Sequence, residues 1–259
     1  MFSKKLSRIT LLLTTVFLFS ACTAETPLPA ISQGGADTED PCPPTVLAES
    51  EDRGQSYLDS FVFFGESTTY HMINRGVLKG GKNTSQVWGP DNGTVNLDTS
   101  IASLRIRYPE TGEYLTLGEA AAQRKPPYLV LTFGLNGAVQ NVKRGKNYYQ
   151  SCYHAMITEI RSASPHTKII LQSCFPVAKN MDMTYYSVTV DELNDRIDTI
   201  NGWVLELAER EGLRYLNTAE ILKDKDGRLI DRYQSGDGHH LTREAYVEIL
   251  HYIRTHGYE

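Results

Sequence analysis

The chain has 259 residues, 41% of them apolar and 22% charged, with 20 Gly and 11 Pro, a balance that excludes wholesale disorder, collagen and coiled coil. A chain this long buries a sizeable core without covalent staples, so its four cysteines are read one at a time and not as a disulfide framework. The formal charge of −5, from 26 basic and 31 acidic residues with no long basic run, argues against nucleic acid as a partner.

At the amino terminus, Lys4, Lys5 and Arg8 precede an apolar run over 9–19 that is short for a membrane span, the pattern of a secretory signal over 1–21. The run ends in Leu18-Phe19-Ser20-Ala21-Cys22, which resembles a bacterial lipobox with Phe19 where Leu is usual. That resemblance implies lipidation of Cys22 and an extracytoplasmic protein anchored to the cell membrane. The competing reading is an ordinary cleaved signal beside a chance cysteine. Removal of the signal takes away three cations and leaves 23 basic against 31 acidic residues, a net of −8. A positive patch is therefore not what would hold the mature chain to anionic lipid, and the anchor would be acyl chains.

Residues 22–52 read as a disordered tether. Pro27, Pro29, Pro41, Pro43 and Pro44, with Gly34, Gly35 and seven carboxylates, leave no apolar periodicity to bury. Cys42 falls inside this stretch. The remainder, 53–259, shows no repeat and no second linker and is read as one domain.

Inside that domain, short apolar runs alternate with amphipathic stretches. The runs are Phe61-Val62-Phe63-Phe64, Ser85-Gln86-Val87-Trp88, Tyr128 to Phe133, Lys168 to Gln172 and Leu213 to Leu216. Most are continuous in apolar character, as in strands covered on both faces. One helix is expected around Tyr149, Tyr153, Met156, Ile157 and Ile160. A second carries Leu193, Ile197, Ile200, Val204 and Leu207, with a capping box from Thr189 to Glu192 and Gly212 as its stop. A third starts at Thr242 and buries Tyr246, Ile249, Leu250 and Ile253. The alternation predicts an α/β fold, a three-layer α/β/α sandwich around a parallel sheet.

In such sheets ligand sites gather beyond the carboxyl ends of the strands. Three segments fall there: Gly65-Glu66-Ser67 after the first run, Gly134-Leu135-Asn136-Gly137 after the third, and Asp237-Gly238-His239-His240 before the last helix. Taken singly, each has a plainer explanation: Ser67 as a helix cap, Asn136 as a turn residue, Asp237-Gly238 as a turn, a loop histidine as a solvated one. Together they bring a hydroxyl, an amide and a carboxylate-imidazole pair to one rim, the parts needed for acyl transfer. No His, Cys or Asp cluster has metal-ligand spacing, so neither metal nor cofactor is expected, and His71, His154 and His166 read as surface or structural residues.

These motifs, spread from Phe61 to about Tyr252, resemble the SGNH/GDSL hydrolase family, with Gly65-Glu66-Ser67 in place of Gly-Asp-Ser, Gly134-Leu135-Asn136 as Gly-x-Asn and Asp237-Gly238-His239-His240 as Asp-x-x-His. The resemblance implies a flavodoxin-like sheet and an esterase in which Ser67 is the nucleophile, His240 the base and Asp237 its orienting acid. It implies oxyanion donors from the Ser67 backbone, the Asn136 amide and a glycine after the second strand, Gly89 or Gly93. The substrate expected is an acylated, chiefly acetylated, carbohydrate or cell-wall polymer, with a lipid ester, or a noncatalytic glycan-binding lipoprotein, as the alternatives. Trp88, Tyr70 and the loop Phe175 to Val190, with Tyr185 and Tyr186, are either cleft-lining or core aromatics. Export to an oxidising compartment also raises a Cys152–Cys174 disulfide, since these fall near a helix start and a strand end, against two buried thiols.

Overall fold

The computed structural model describes residues 44–258 with the exception of Tyr185. The expected signal segment over 1–21, Cys22, Cys42 and the expected tether up to residue 43 lie outside the described residues. Five parallel strands form one sheet: β1 (Phe61–Gly65), β2 (Val87–Trp88), β5 (Tyr128–Thr132), β6 (Lys168–Gln172) and β7 (Arg214–Leu216). Their spatial order is β2-β1-β5-β6-β7, and a separate antiparallel hairpin joins β3 (Ile106–Arg107) to β4 (Tyr114–Leu115). With the hairpin set aside, this is the 2-1-3-4-5 order of flavodoxin-like sheets. Every strand of the main sheet coincides with a run that the apolar pattern marks, β1 extending one residue beyond its run to Gly65.

Because successive strand residues point to opposite faces, each strand feeds two cores. Val62, Phe64, Leu129, Leu131, Ile169 and Leu171 pack on one face against α3 (Leu117–Arg124), α5 (Lys146–Ala163) and α6 (Val190–Glu211). Phe61, Phe63, Val130, Ile170 and Leu216 face the other way, toward α1 (Gly54–Leu58), α2 (Ser67–Arg75) and α7 (Arg243–Thr255). The capping box at the start of α6 is formed in both directions, Thr189 with Glu192, and Gly212 closes the helix in the left-handed region. Thr242 caps α7 through the Ala245 N–H. A second capping box, Thr116 with Glu119, opens α3. That helix escapes the sequence pattern because Leu117, Ala120 and Ala121 are its buried apolar residues, and alanines carry little periodic contrast.

Two expectations are corrected. The tether does not extend to residue 52. Val46 bridges Tyr215 in parallel. The Leu47 N–H donates to the Tyr215 carbonyl at 2.9 Å and the Tyr215 N–H to the Thr45 carbonyl at 2.8 Å. Asp52 pairs with Arg254 at 3.1 Å. The edge of β7 offers backbone groups that need partners, and one buried Leu47 between the exposed Val46 and Ala48 is too sparse a signal to read as a strand. Nor are Cys152 and Cys174 joined: both thiols are free. Cys174 is buried against Gly134, where an added Cβ would come within 2.2 Å of its own, so it serves as a small apolar filler, while Cys152 lies half-buried on α5.

If residues 45–47 belong to the domain, Leu47→Ala should destabilise it by about 2–4 kcal/mol in urea titration, as truncation of a buried leucine does. A residue in a solvated linker would shift stability by less than about 0.5 kcal/mol.

Candidate active site

Strand β1 ends at a point of close approach. An added Cβ on Gly65 would lie 2.1 Å from the Thr132 carbonyl oxygen, so this strand end admits only glycine. Glu66 then holds the N-cap position of α2 in extended conformation, and Ser67 is the first helical residue. Its hydroxyl therefore does not cap the helix. Instead Ser67 Oγ lies 3.1 Å from His240 Nε2. On the far side of the ring, His240 Nδ1 lies 2.7 Å from Asp237 Oδ2.

The loop carrying Asp237 and His240 is tightly determined. Asp237 Oδ1 accepts the N–H of His239 at 3.0 Å and that of His240 at 2.9 Å. Gly238 turns with φ 82°, and an added Cβ would sit 2.5 Å from the Met181 backbone. Arg75 Nε donates to the Leu241 carbonyl at 3.0 Å, and the Tyr246 hydroxyl donates to the Thr68 carbonyl, tying loop, α2 and α7 together. Partial burial pushes the Asp237 carboxyl upward, but the His240 N–H and ring and the His239 N–H outweigh it and hold the group well below the usual carboxylate range. Asp237 is thus an anion facing an imidazole.

The amide turn arrives from β5, which runs level with β1, Gly65 opposite Thr132. Asn136 lies in the first turn of α4 (Leu135–Gln140), with helical rather than left-handed backbone. Its Nδ2 donates to Asn96 Oδ1 at 2.9 Å, which leaves the second amide hydrogen for another acceptor. Its backbone N–H donates to Glu66 Oε2 at 3.3 Å. Glu66, 2% exposed, thus bridges the serine turn and the asparagine turn, a role invisible in sequence. Burial lifts its carboxyl to about 7 against the opposing pull of the Asn136, Gly134 and Leu135 N–H groups, and Oε1 has no partner among the described residues.

Of the two candidate glycines, Gly93 donates its N–H to the Pro90 carbonyl at 2.9 Å and is occupied within its own turn. Gly89 directly follows β2 and lines, with Tyr70, Asp91, Arg107 and Tyr108, a groove of about 280 Å³. Trp88 is 1% exposed and belongs to the core, tilted against Tyr108. Phe175 borders a recess beside Glu66 and His239, Tyr186 packs against the core, and Tyr185 lies outside the described residues. His154 pairs with Glu211 at 2.9 Å and His166 is exposed, as a surface reading requires. His71 is different: it is half-buried and stacked on His240. The same short loop also brings ligand-type atoms of Asp237, His239 and His240 within 4.8 Å of one another.

The chain matches the GDSL-like lipase/acylhydrolase family over residues 63–247, and it belongs to that family. It is a carboxylic ester hydrolase. Among solved structures it resembles a GDSL-like lipase from Bacteroides thetaiotaomicron, with 19% identity, 76% of this chain and 87% of that chain covered, and a TM-score of 0.51. It also resembles a lipase/acylhydrolase from Enterococcus faecalis, with 15% identity, 75% and 92% covered, and a TM-score of 0.50. No curated protein sequence matches it significantly.

The Glu66 carboxyl has a thermodynamic consequence. Between its ordinary value of 4.5 and about 7, the folded chain keeps a proton that the unfolded chain has released, so raising the pH through this window removes stability. Comparison of wild type with Glu66→Gln in urea at pH 5 and pH 8 should show the wild type losing on the order of 3 kcal/mol relative to the amide variant. Equal pH dependence in the two proteins would contradict this.

Proposed function

We propose that hydrolysis proceeds through a serine nucleophile, Ser67, with His240 as general base and Asp237 as the group that orients and charge-balances its ring. The observation that carries this reading is the series Ser67 Oγ, His240 Nε2, His240 Nδ1, Asp237 Oδ2, at 3.1 and 2.7 Å. As Oγ bonds to the ester carbonyl carbon, Nε2 takes its proton, and the ionised Asp237 stabilises the imidazolium. The negative oxygen of the tetrahedral intermediate is held by the Ser67 backbone N–H, the free Asn136 amide hydrogen and the Gly89 N–H. Collapse expels the alcohol, which takes the proton from Nε2. Water, deprotonated by the same nitrogen, then releases the acid and restores the serine.

The preferred substrate is a short acyl ester, acetyl above all, on a carbohydrate or cell-wall polymer. One feature supports this: the groove at Gly89 carries Asp91, Arg107, Tyr70 and Tyr108, groups suited to hydroxyl-rich ligands more than to a fatty chain. Lipidation of Cys22 would hold such an enzyme at the extracytoplasmic face of the membrane.

With p-nitrophenyl acetate, Ser67→Ala, His240→Ala and their double mutant should share one residual rate, at least about 10³-fold below wild type, because the pair acts as a unit. His239→Ala should be mild and Asn136→Ala should cost about 10²–10³ in kcat. Full turnover by His240→Ala in folded protein would refute the base assignment. Across p-nitrophenyl esters of graded length and acetylated glycans, acetate should be preferred. A preference of more than about tenfold for decanoate, roughly 1.4 kcal/mol of transition-state binding, would overturn the substrate choice. Cys22→Ser should move the protein from the membrane to the soluble fraction, and unchanged membrane association would remove the lipoprotein reading.

A further inference from the structure

Three side chains spaced four residues apart on α2 meet the loop that carries the base. Ser67 Oγ faces His240 Nε2, the His71 ring lies against the His240 ring, and Arg75 donates to the Leu241 carbonyl. A spacing of four puts all three on one face of the helix, one turn apart. The middle contact is a near-parallel stack, with ring centroids 4.1 Å apart and planes 17° from parallel. His239 covers His240 from its own loop at 4.0 Å and a 43° tilt, so His71 is the wall supplied by a different element.

We propose that His71 is a positioning residue of this esterase, whose ring face fixes the plane of the His240 imidazole so that Nε2 stays on Ser67 while Nδ1 stays on Asp237. The proposal rests on the assignment of Ser67 and His240 as nucleophile and base. A histidine side chain held only by its two ring nitrogens can still swing about its χ angles, and a misplacement of about 1 Å in a reacting group can cost about 10²-fold in rate. A stacked ring opposes that swing without competing for either nitrogen. His71 Nδ1 is buried without a hydrogen-bond partner among the described residues, so the ring contributes its face and not that nitrogen. Burial, with His240 and Arg75 close by, lowers His71 to about 4, so at neutral pH the wall is uncharged. When His240 gains the serine proton, the cation therefore meets a neutral π face, which attracts it, and not a second cation.

The test separates a flat ring from mere bulk. His71→Leu fills similar space without a ring, and His71→Phe keeps a ring without nitrogens. With p-nitrophenyl acetate, His71→Leu should lower kcat by about 10- to 100-fold with KM within about twofold, and His71→Phe should stay within about threefold of wild type in kcat. In a His240→Ala background, His71→Leu should cause no further loss, because there is no ring left to position. The inference is overturned if His71→Leu is unimpaired, if leucine and phenylalanine variants fall equally, or if the loss persists in the His240→Ala background. Should His240→Ala itself keep full activity, the base assignment fails first, a result distinguishable from failure of the His71 role.

Discussion

The in-register pairing of β1 with β5 is the constraint from which the site follows. Five successive residues match, Phe61 with Tyr128 through Gly65 with Thr132, so both strands end at the same level and hand the chain to helices starting at Ser67 and Leu135. The Glu66 N–H donates to the Thr132 carbonyl at 3.2 Å, one residue beyond the last pair. Only a residue without a Cβ at 65 permits that approach. Hydroxyl and amide are thereby placed on one rim before any side-chain contact between them is made. The Glu66 carboxyl, bound to the Asn136 N–H, then couples the two turns.

The third component reaches the rim by a different route, since the Asp237–His240 loop does not directly follow a strand but comes after β7 by way of two 3-10 turns, Glu220–Leu222 and Asp231–Tyr233. It is held from below by α2 and α7: the stack on His71, the bond from Arg75 and the Tyr246 hydroxyl on Thr68. Each such polar contact contributes about 1 kcal/mol net. Their geometry persists because α7 buries Tyr246, Ile249 and Ile253 in the core beneath the sheet. Hydrophobic packing therefore sets the distance between Ser67 and His240, and the hydrogen bonds define its direction.

Two carboxyls on this rim show how environment divides identical chemistry. Asp237 sits among two N–H donors and an imidazole ring and is held ionised. Glu66 is buried with one oxygen unpartnered and is pushed to about 7. The first is suited to balancing an imidazolium, the second to bracing a turn, and desolvation against charge stabilisation makes the difference.

The sequence alone determined the α/β class, all five sheet strands, the caps of α6 and α7, and the short list containing Ser67, Asn136, Asp237 and His240. These are properties of a few consecutive residues: apolar runs bury both faces, and glycine, threonine and aspartate carry turn and cap chemistry in their own side chains. The serine, four residues before a histidine and eight before an arginine, was equally visible, yet only the fold shows what that helix face meets. Tertiary structure likewise decided that Leu47 joins the edge of β7, that Trp88 is core, that Cys152 and Cys174 stay apart, and that Glu66 reaches α4. Each of these depends on a partner far away in the chain, where no local period or propensity carries information, and where the pairing of strands selects which distant residues meet.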